Sequence, residues 1–565
     1  MAKFIQIKTQ PYLDQEPGTS GLRKPTKTFL QSNYTENFVQ SILNICVLPE
    51  FKSEQCNTLV CGGDGRYFVK DCLKKVIIPL CFANGVNRLI IGIDGLVSTP
   101  CASFMIRSNQ CIGGILLTAS HNPGGIDADF GIKYNCQNGG PAPEKVTDKI
   151  FQATKSISEY RSVEGTIEVD LSKTGTTYLN VDNQKMQIDV VDTSLEYSKY
   201  LQTIFDFDPI KCLITSDKFK CLITGLNGVM GPYIKQIFCN DLGMPQSSAI
   251  QCEPMDDFGG HHPDPNLTYA RSLVKSLEDD LSYSFGAAFD GDGDRNMILG
   301  KGGYFICPCD LLALIVDNID CIKYFDCRKV QGMARSMPTS RALDEVCKAK
   351  QLQCYETPTG WKYFGNLMDH GLCSVCGEES FGHGSDHIRE KDGIWAVLAI
   401  LSLLARNYKT GKPIDLEEIA LDHWSKYGRY FFTRYDYENC SVEEGKEMMS
   451  KLTDFIKNPS NLDKDFGSSK IIKMDDFGYT DPTDESITTK KGIRIFLNNG
   501  ARLVYRLSGT GSNGATLRMY IDKHEKDLST FRMQSSEYLK ETISLAVEIC
   551  GVAKITGRTR PTVIT

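Results

Sequence analysis

Short apolar runs recur along most of this chain, each followed by a glycine-bearing loop and then an amphipathic stretch. The pattern appears in NTLVCGGDGRYFVKDCLKKVIIPLCFANGVNRLIIGI (57–93), FKCLITGLNGVMGPYIKQIFCNDLG (219–243) and KVQGMARSMPTSRALDEVCKAKQLQCYETPTG (329–360). Short apolar runs bounded by glycine predict buried strands, and the periodic stretches after them predict helices. Strands alternating with helices predict mixed or parallel sheets in an α/β protein. Three such units predict three similar domains in tandem, although the identity between them is weak. After about residue 424 the pattern changes to WSKYGRYFFTRYDYENCS, a helical stretch, and GIRIFLNNGARLVYRLSGTG. Asn498-Asn499-Gly500 there predicts the turn of a hairpin, so the last unit reads as α+β. The polar segments 155–186 and 456–490 read as loops or insertions. The longest apolar run, GIWAVLAILSLLA (393–405), is well short of the roughly 18 residues of a membrane span and predicts a buried helix.

Length and charge sharpen this picture. At 565 residues the chain exceeds one hydrophobic core, and a prior of roughly 150 residues per domain suggests about three to five domains. The formal net charge of -7 comes with no basic tract for nucleic acid and no polybasic cluster for a membrane surface, and the short apolar run leaves no expectation of membrane insertion. The N-terminal segment lacks the apolar stretch of a secretory signal, and the 22 cysteines are scattered in apolar surroundings. Reduced core thiols in a cytoplasmic protein are the expectation. Cys373 and Cys376 form a CxxC, and Cys307 and Cys309 a CxC, but a zinc site would want a second ligand pair.

Four stretches carry chemistry. GGILLTASHNPGG (113–125) runs a strand into a turn and leaves Ser120 at a strand end, where ligands collect in α/β sheets. The hydrolase elbow GxSxG is absent. Neighbouring side chains in extended backbone point to opposite sides, so Ser120 and His121 need not pair as a dyad. In FDGDGDRN (289–296), Asp290, Asp292 and Asp294 can converge on one hard cation, for which Mg²⁺ is the candidate. Leu299, Gly300 and Lys301 stand where an EF-hand would need its glutamate. CGEESFGHGSDHIREKDG (376–393) offers Glu378 and Ser380 to sugar hydroxyls, and His387, Arg389 and Lys391 as cations or proton movers. YRLSGTGSNGATLRMYID (505–522) offers backbone N–H groups and hydroxyls to an anion, flanked by Arg506 and Arg518. The expected divisions are 1–193, 194–306, 307–423 and 424–565, one chemical stretch in each. The picture is three tandem mixed-sheet α/β domains plus a C-terminal α+β domain, closing around a central cleft on a phosphosugar.

These stretches, with KTQPYLDQEPGTSGLRK, DFGGHHPDPNLTYA, ETPTGWKYFGNLMD and the terminal GRTRPTVIT, resemble the α-D-phosphoglucomutase family of the phosphohexomutase superfamily. The GEES loop and the chain length resemble its eukaryotic-type branch, parafusin-like members included. The resemblance implies interconversion of glucose 1-phosphate and glucose 6-phosphate through a phosphoserine and glucose 1,6-bisphosphate, within glucose and glycogen metabolism. It implies that Ser120 carries the phosphoryl group and that Mg²⁺ binds Asp290, Asp292, Asp294 and a phosphoserine oxygen. Thr359, Gly360, Glu378 and Ser380 would hold sugar hydroxyls. Arg506, Ser508, Gly509, Thr510, Gly511 and Arg518 would hold the non-reacting phosphate. Thr19, Ser20, Arg23, Arg295 and His387 would line the site, with His121 and Lys391 as alternative proton movers. Vesicle association is a further expectation from the parafusin-like members. Asn227, Asn513 and His383 depart from the family pattern, His383 replacing a common threonine beside the sugar loop. Another phosphohexomutase activity, a non-catalytic scaffold and a serine hydrolase are the rival readings, the last lacking an evident third triad partner.

Overall fold

A computed structural model describes residues 3–18, 20–51, 57–165, 167–466, 469–508 and 514–565. Its first three sheets are variations on one plan. In the first, Arg88–Leu96, Thr58–Gly63 and Gly113–Leu117 run parallel, and Asp129–Cys136 closes the group antiparallel. The second repeats this with Ala249–Ile250, Cys221–Thr224, Phe285–Phe289 and the antiparallel Asn296–Gly300. The third repeats it with Cys354–Thr357, Gly332–Ser336, Cys373–Gly377 and the antiparallel His383–Ser385. Each core has strand order 2-1-3-4, so the mixed-sheet expectation holds in all three units.

The plan fixes where the chemistry lies. The link from the third to the fourth strand carries Ser120 in the first unit, Asp290 to Asp294 in the second and Glu378 with Ser380 in the third. All three links leave the carboxyl end of a buried parallel strand, where α/β sheets present their ligands.

The fourth unit differs, as its sequence predicts. Seven strands, from Asp465–Phe466 at one edge to Val563–Ile564 at the other, pair antiparallel throughout, with helices Val442–Lys457 and Lys540–Cys550 packed against them. Ile493–Leu497 and Ala501–Ser508 form the expected hairpin, and Gly500 takes the left-handed φ of 84° at its turn. Period 2 divides the second strand: Leu503 and Tyr505 enter the core of this unit, while Arg502, Val504 and Arg506 face the third unit and the cleft.

Two expectations fail. The polar segments 155–186 and 456–490 are more than loops. Gly175–Val181 and Gln184–Val191 form a hairpin that extends the first sheet, and Ser469–Asp476 lies in the fourth. Alternate residues of these outer strands are exposed, so polar composition there marks a solvated face rather than the absence of a strand.

The apolar run at 393–405 lies in a helix, Gly393–Thr410. Asp392 caps its N-terminus by accepting from the Trp395 N–H, and Gly411 ends it in the left-handed conformation. Its side chains join one apolar core that runs through the first three units. All described cysteines are free thiols, and Cys373 and Cys376 are buried on one strand.

Candidate active site

Ser120 is 1% exposed and has φ 55°, a left-handed backbone that non-glycine residues rarely adopt. Its N–H donates to Thr118 Oγ1 at 2.8 Å, and its Oγ donates to Asp290 Oδ2 at 2.9 Å. His121 Nδ1 lies 3.3 Å from the same Oγ. The alternation expected to separate the two side chains does not apply, because the chain has left the strand. Burial, then the charges of Arg295, Arg23, Arg518 and Lys391, hold the His121 pKa well below its usual value. His121 is therefore a neutral imidazole near pH 7.

The metal loop closes from the second unit. One carboxylate oxygen from each of Asp290, Asp292 and Asp294 lies within 4.8 Å of the others, and all three residues are buried. Gly293 makes the turn at φ 78°, and a Cβ there would stand 2.1 Å from Met230 Sδ. Thr99 Oγ1 donates to Asp292 at 2.8 Å, and Lys391 Nζ pairs with Asp294 at 2.9 Å. Burial, then the neighbouring Asp292 and Asp294 charges, push the Asp290 pKa up. Burial opposes ionisation of Asp292 as well, but Lys133, Lys391, Thr99 and Arg23 outweigh it and hold it down at about 2. Asp292 Oδ1 and Asp294 Oδ1 are buried without a hydrogen-bond partner. Three crowded carboxylates, two of them with an orphaned oxygen, fit a hard divalent cation such as Mg²⁺.

All four units meet at a cleft of about 460 Å³. The first contributes Ser20, Arg23 and His121, and the second Asp294 and Arg295. The third contributes Thr359, Gly360, Glu378, Ser380 and Lys391, and the fourth Arg506, Ser508 and Arg518. Glu378 Oε1 accepts from the Gly360 N–H at 3.1 Å, which ties two expected sugar contacts together. Larger cavities exist elsewhere, at about 600 and 780 Å³, but neither borders His121, Asp294 or Lys391, as this cleft does. In the cleft the Nε atoms of Arg23, Arg295 and Arg518 and the Thr359 hydroxyl are buried without hydrogen-bond partners. Buried donors left unmade are expensive, and three guanidiniums around one cavity fit a multiply anionic ligand.

The expectations for Thr19, Gly509, Thr510 and Gly511, and the departure at Asn513, lie outside the described residues. His387 corrects the expectation that it lines the site. Its Nδ1 is 2.7 Å from Ser385 Oγ and its Nε2 3.0 Å from Asp392, and its ring stacks with Tyr200 and Trp395. These contacts turn it to the far side of the 386–392 segment, away from the cleft. His383 is also fully buried outside the cleft, so it does not touch the sugar position.

Some cleft residues escaped the sequence reading. Lys133 is buried and pairs with Glu390 at 3.1 Å, and both border the cleft. Its strand held a usable signal: Phe130, Ile132 and Tyr134 enter the core, which turns Lys133 and Asn135 to the opposite face. Asp264 and Asn266 come from DFGGHHPDPN, and Arg434 and Asp436 from the first strand of the fourth unit. The first stretch is legible only as part of the family resemblance, and Arg434 and Asp436 carry no local signature.

The chain matches three phosphoglucomutase/phosphomannomutase alpha/beta/alpha domain families, domain I over 14–161, II over 196–303 and III over 310–427. The C-terminal domain of phosphoglucomutase-1 matches over 429–562. Phosphoglucomutase-1 of Homo sapiens is 51% identical, covering 100% of both chains, and phosphoglucomutase 1 of Drosophila melanogaster is 48% identical, covering 99% of both. The open form of pp63/parafusin, a phosphoglucomutase from Paramecium, superposes with a TM-score of 0.90 at 44% identity, over 100% of this chain and 99% of that one. The chain belongs to the phosphohexomutase superfamily, in its eukaryotic phosphoglucomutase branch.

Proposed function

We propose that Ser120 carries the phosphoryl group of this phosphoglucomutase. Enzymes of this branch interconvert glucose 1-phosphate and glucose 6-phosphate through a phosphoserine and a glucose 1,6-bisphosphate intermediate. In the first step the Ser120 Oγ–P bond breaks and a bond forms from phosphorus to the free sugar hydroxyl oxygen. The hydroxyl proton passes to a base. Ser120 Oγ leaves and takes up a proton. After the bisphosphate turns over in the cleft, the bond from its other phosphorus to the sugar oxygen breaks, that phosphoryl group returns to Ser120 Oγ, and the serine proton passes to a base. The observation that carries this reading is the set of buried Nε donors without hydrogen bonds on Arg23, Arg295 and Arg518, in the cleft that His121 and Asp294 border. Those guanidiniums would hold the phosphates, and Thr359, Glu378 and Ser380 the sugar hydroxyls. Asp290, Asp292 and Asp294, with a phosphoserine oxygen, would hold Mg²⁺, which neutralises charge on the transferring group. Closure of the cleft by four units excludes water that would hydrolyse the phosphoserine.

His121 is our choice of acceptor for the Ser120 Oγ proton when the phosphoryl group returns to the serine, because its imidazole is neutral and touches that Oγ, whereas Lys391 is tied to Asp294. We assign the enzyme to the cytoplasm, by analogy with the cytoplasmic phosphoglucomutases of Bromus inermis and Populus tremula, which are 49% and 48% identical to it.

The test is an assay of glucose 1-phosphate conversion in Mg²⁺, with and without glucose 1,6-bisphosphate. Ser120→Ala should fall to background in both conditions, and substantial activity in that variant would sink the phosphoserine assignment. His121→Gln should lose about 10²-fold or more in kcat with KM nearly unchanged. An unchanged kcat would move the proton to Lys391.

A further inference from the structure

Beneath the serine loop lies an arginine that touches no part of the cleft. Arg66 is 1% exposed, in the loop between the strand Thr58–Gly63 and the helix that begins at Val69. Its Nε donates to both oxygens of Asp64, at 3.1 and 2.9 Å. Nη2 donates to the carbonyl oxygens of Ser120 at 3.0 Å and Asn122 at 3.3 Å. Nη1 donates to those of Asp129 at 2.8 Å and Pro123 at 3.4 Å. One planar fork thus gathers four carbonyls of the segment 120–129.

The grip reaches both sides of the Ser120 residue. Asp64 accepts from Thr118 Oγ1 at 2.6 Å, and that oxygen accepts the Ser120 N–H. The Asp64–Arg66 pair therefore holds the Ser120 carbonyl directly and its amide through Thr118. A residue at φ 55° lies in a sparsely populated region and persists there only when its surroundings over-determine it. The second unit joins the same clamp. The Phe258 ring lies 5.1 Å from the guanidinium carbon, and the neighbouring Tyr67 N–H donates to Asp256 O at 2.7 Å. Gly124 packs so closely that a Cβ would stand 2.8 Å from Asp256 O and 2.9 Å from Phe258. The serine loop and the unit that carries the aspartates are thereby locked in register.

We propose that Arg66 is a positioning residue for phosphoryl transfer, fixing the left-handed backbone of Ser120 so that its Oγ faces the aspartate loop. It acts through the backbone and contacts neither sugar nor phosphate. This rests on the reading of Ser120 as the phosphoryl carrier. A lysine would keep the charge beside Asp64 but present a single point donor, unable to span four carbonyls. A misplacement of 1 Å at a reacting group is worth about 10²-fold in rate.

The experiment compares wild type, Arg66→Lys and Arg66→Met in the full chain with Mg²⁺. Both variants should lose about 10²-fold in kcat while KM for glucose 1-phosphate stays within about twofold, because every cleft side chain remains. The rate at which glucose 1,6-bisphosphate phosphorylates the dephosphorylated enzyme should fall in parallel. A folded Arg66→Lys with wild-type kcat overturns the proposal, as does a change confined to KM. Circular dichroism and a thermal melt check the fold. Loss of folding in both variants would also overturn it, leaving Arg66 a folding residue only. Ser120→Ala keeps the two readings apart: an active Ser120→Ala sinks the carrier assignment, whereas an inactive one beside a fully active Arg66→Lys sinks the positioning role alone.

Discussion

His383 illustrates what one buried residue does to this protein. Its Nε2 is 2.9 Å from the Pro308 carbonyl and its Nδ1 3.1 Å from the Asn296 side chain. Burial pushes its pKa down to about 4 from the ordinary 6.5. In the unfolded chain the imidazole takes its proton near 6.5, so below that pH the unfolded state binds more protons than the folded one. Stability is then complete above 6.5 and falls as pH drops toward 4, by about 3 kcal/mol for this group. His383→Thr should flatten that part of the acid limb, read by denaturant unfolding at pH 7 and pH 4.5. An unchanged difference between the two pH values would show that His383 does not titrate this way. The serine was legible in the sequence because a strand ran into a turn at Ser120. Its contact with His121 was not, because nothing local forecasts a positive φ at a serine.

Among the elements, the helix Gly393–Thr410 ties the core to the site. Its cap residue Asp392 accepts from Trp395 N–H through one oxygen and binds His387 and Tyr197 OH through the other. The next residue, Gly393, donates its N–H to Gly293 O in the metal loop at 3.2 Å. Asp392→Ala removes a cap worth about 1 kcal/mol and leaves two buried polar groups short of a partner. Denaturant titration should register a loss of about 3 kcal/mol or more. Asp392→Asn, which keeps an accepting oxygen at the cap, should lose less. The helix itself was readable from its uninterrupted apolar run. The outer strands at 175–191 and 469–476 were not, since a strand with one solvated face carries too few apolar positions to stand out.

Across the whole molecule, the units are joined in two ways. The first three share one apolar core, whereas the fourth has its own. A small apolar cluster and a buried ion network hold the fourth unit to the third. Arg502 is central there, donating to Asp522 at 2.6 Å and to the Met337 and Thr339 carbonyls at 2.8 Å, with Glu356 at 3.3 Å. Removing one partner of a buried charge network costs about 3–5 kcal/mol. Arg502→Met should lose that much, and KM for glucose 1-phosphate should rise, because Arg506 and Ser508 ride on the same strand face. A variant with unchanged KM would show that the phosphate grip does not depend on this joint.

The three repeated α/β units, the α+β end, the acidic loop and the serine at a strand end could all be read from the chain alone. These follow from local periodicity, turn chemistry and charge spacing, which act over a few residues. Only the tertiary structure decided which side chains share the cleft. It turned His387 away from the cleft into a buried contact with Asp392, drew Lys133 and Glu390 in as a buried pair, and set Arg66 under Ser120. Those outcomes depend on the orientation of elements brought together from distant parts of the chain. They also depend on the penalty for leaving any buried charge unpaired, and no local pattern records either.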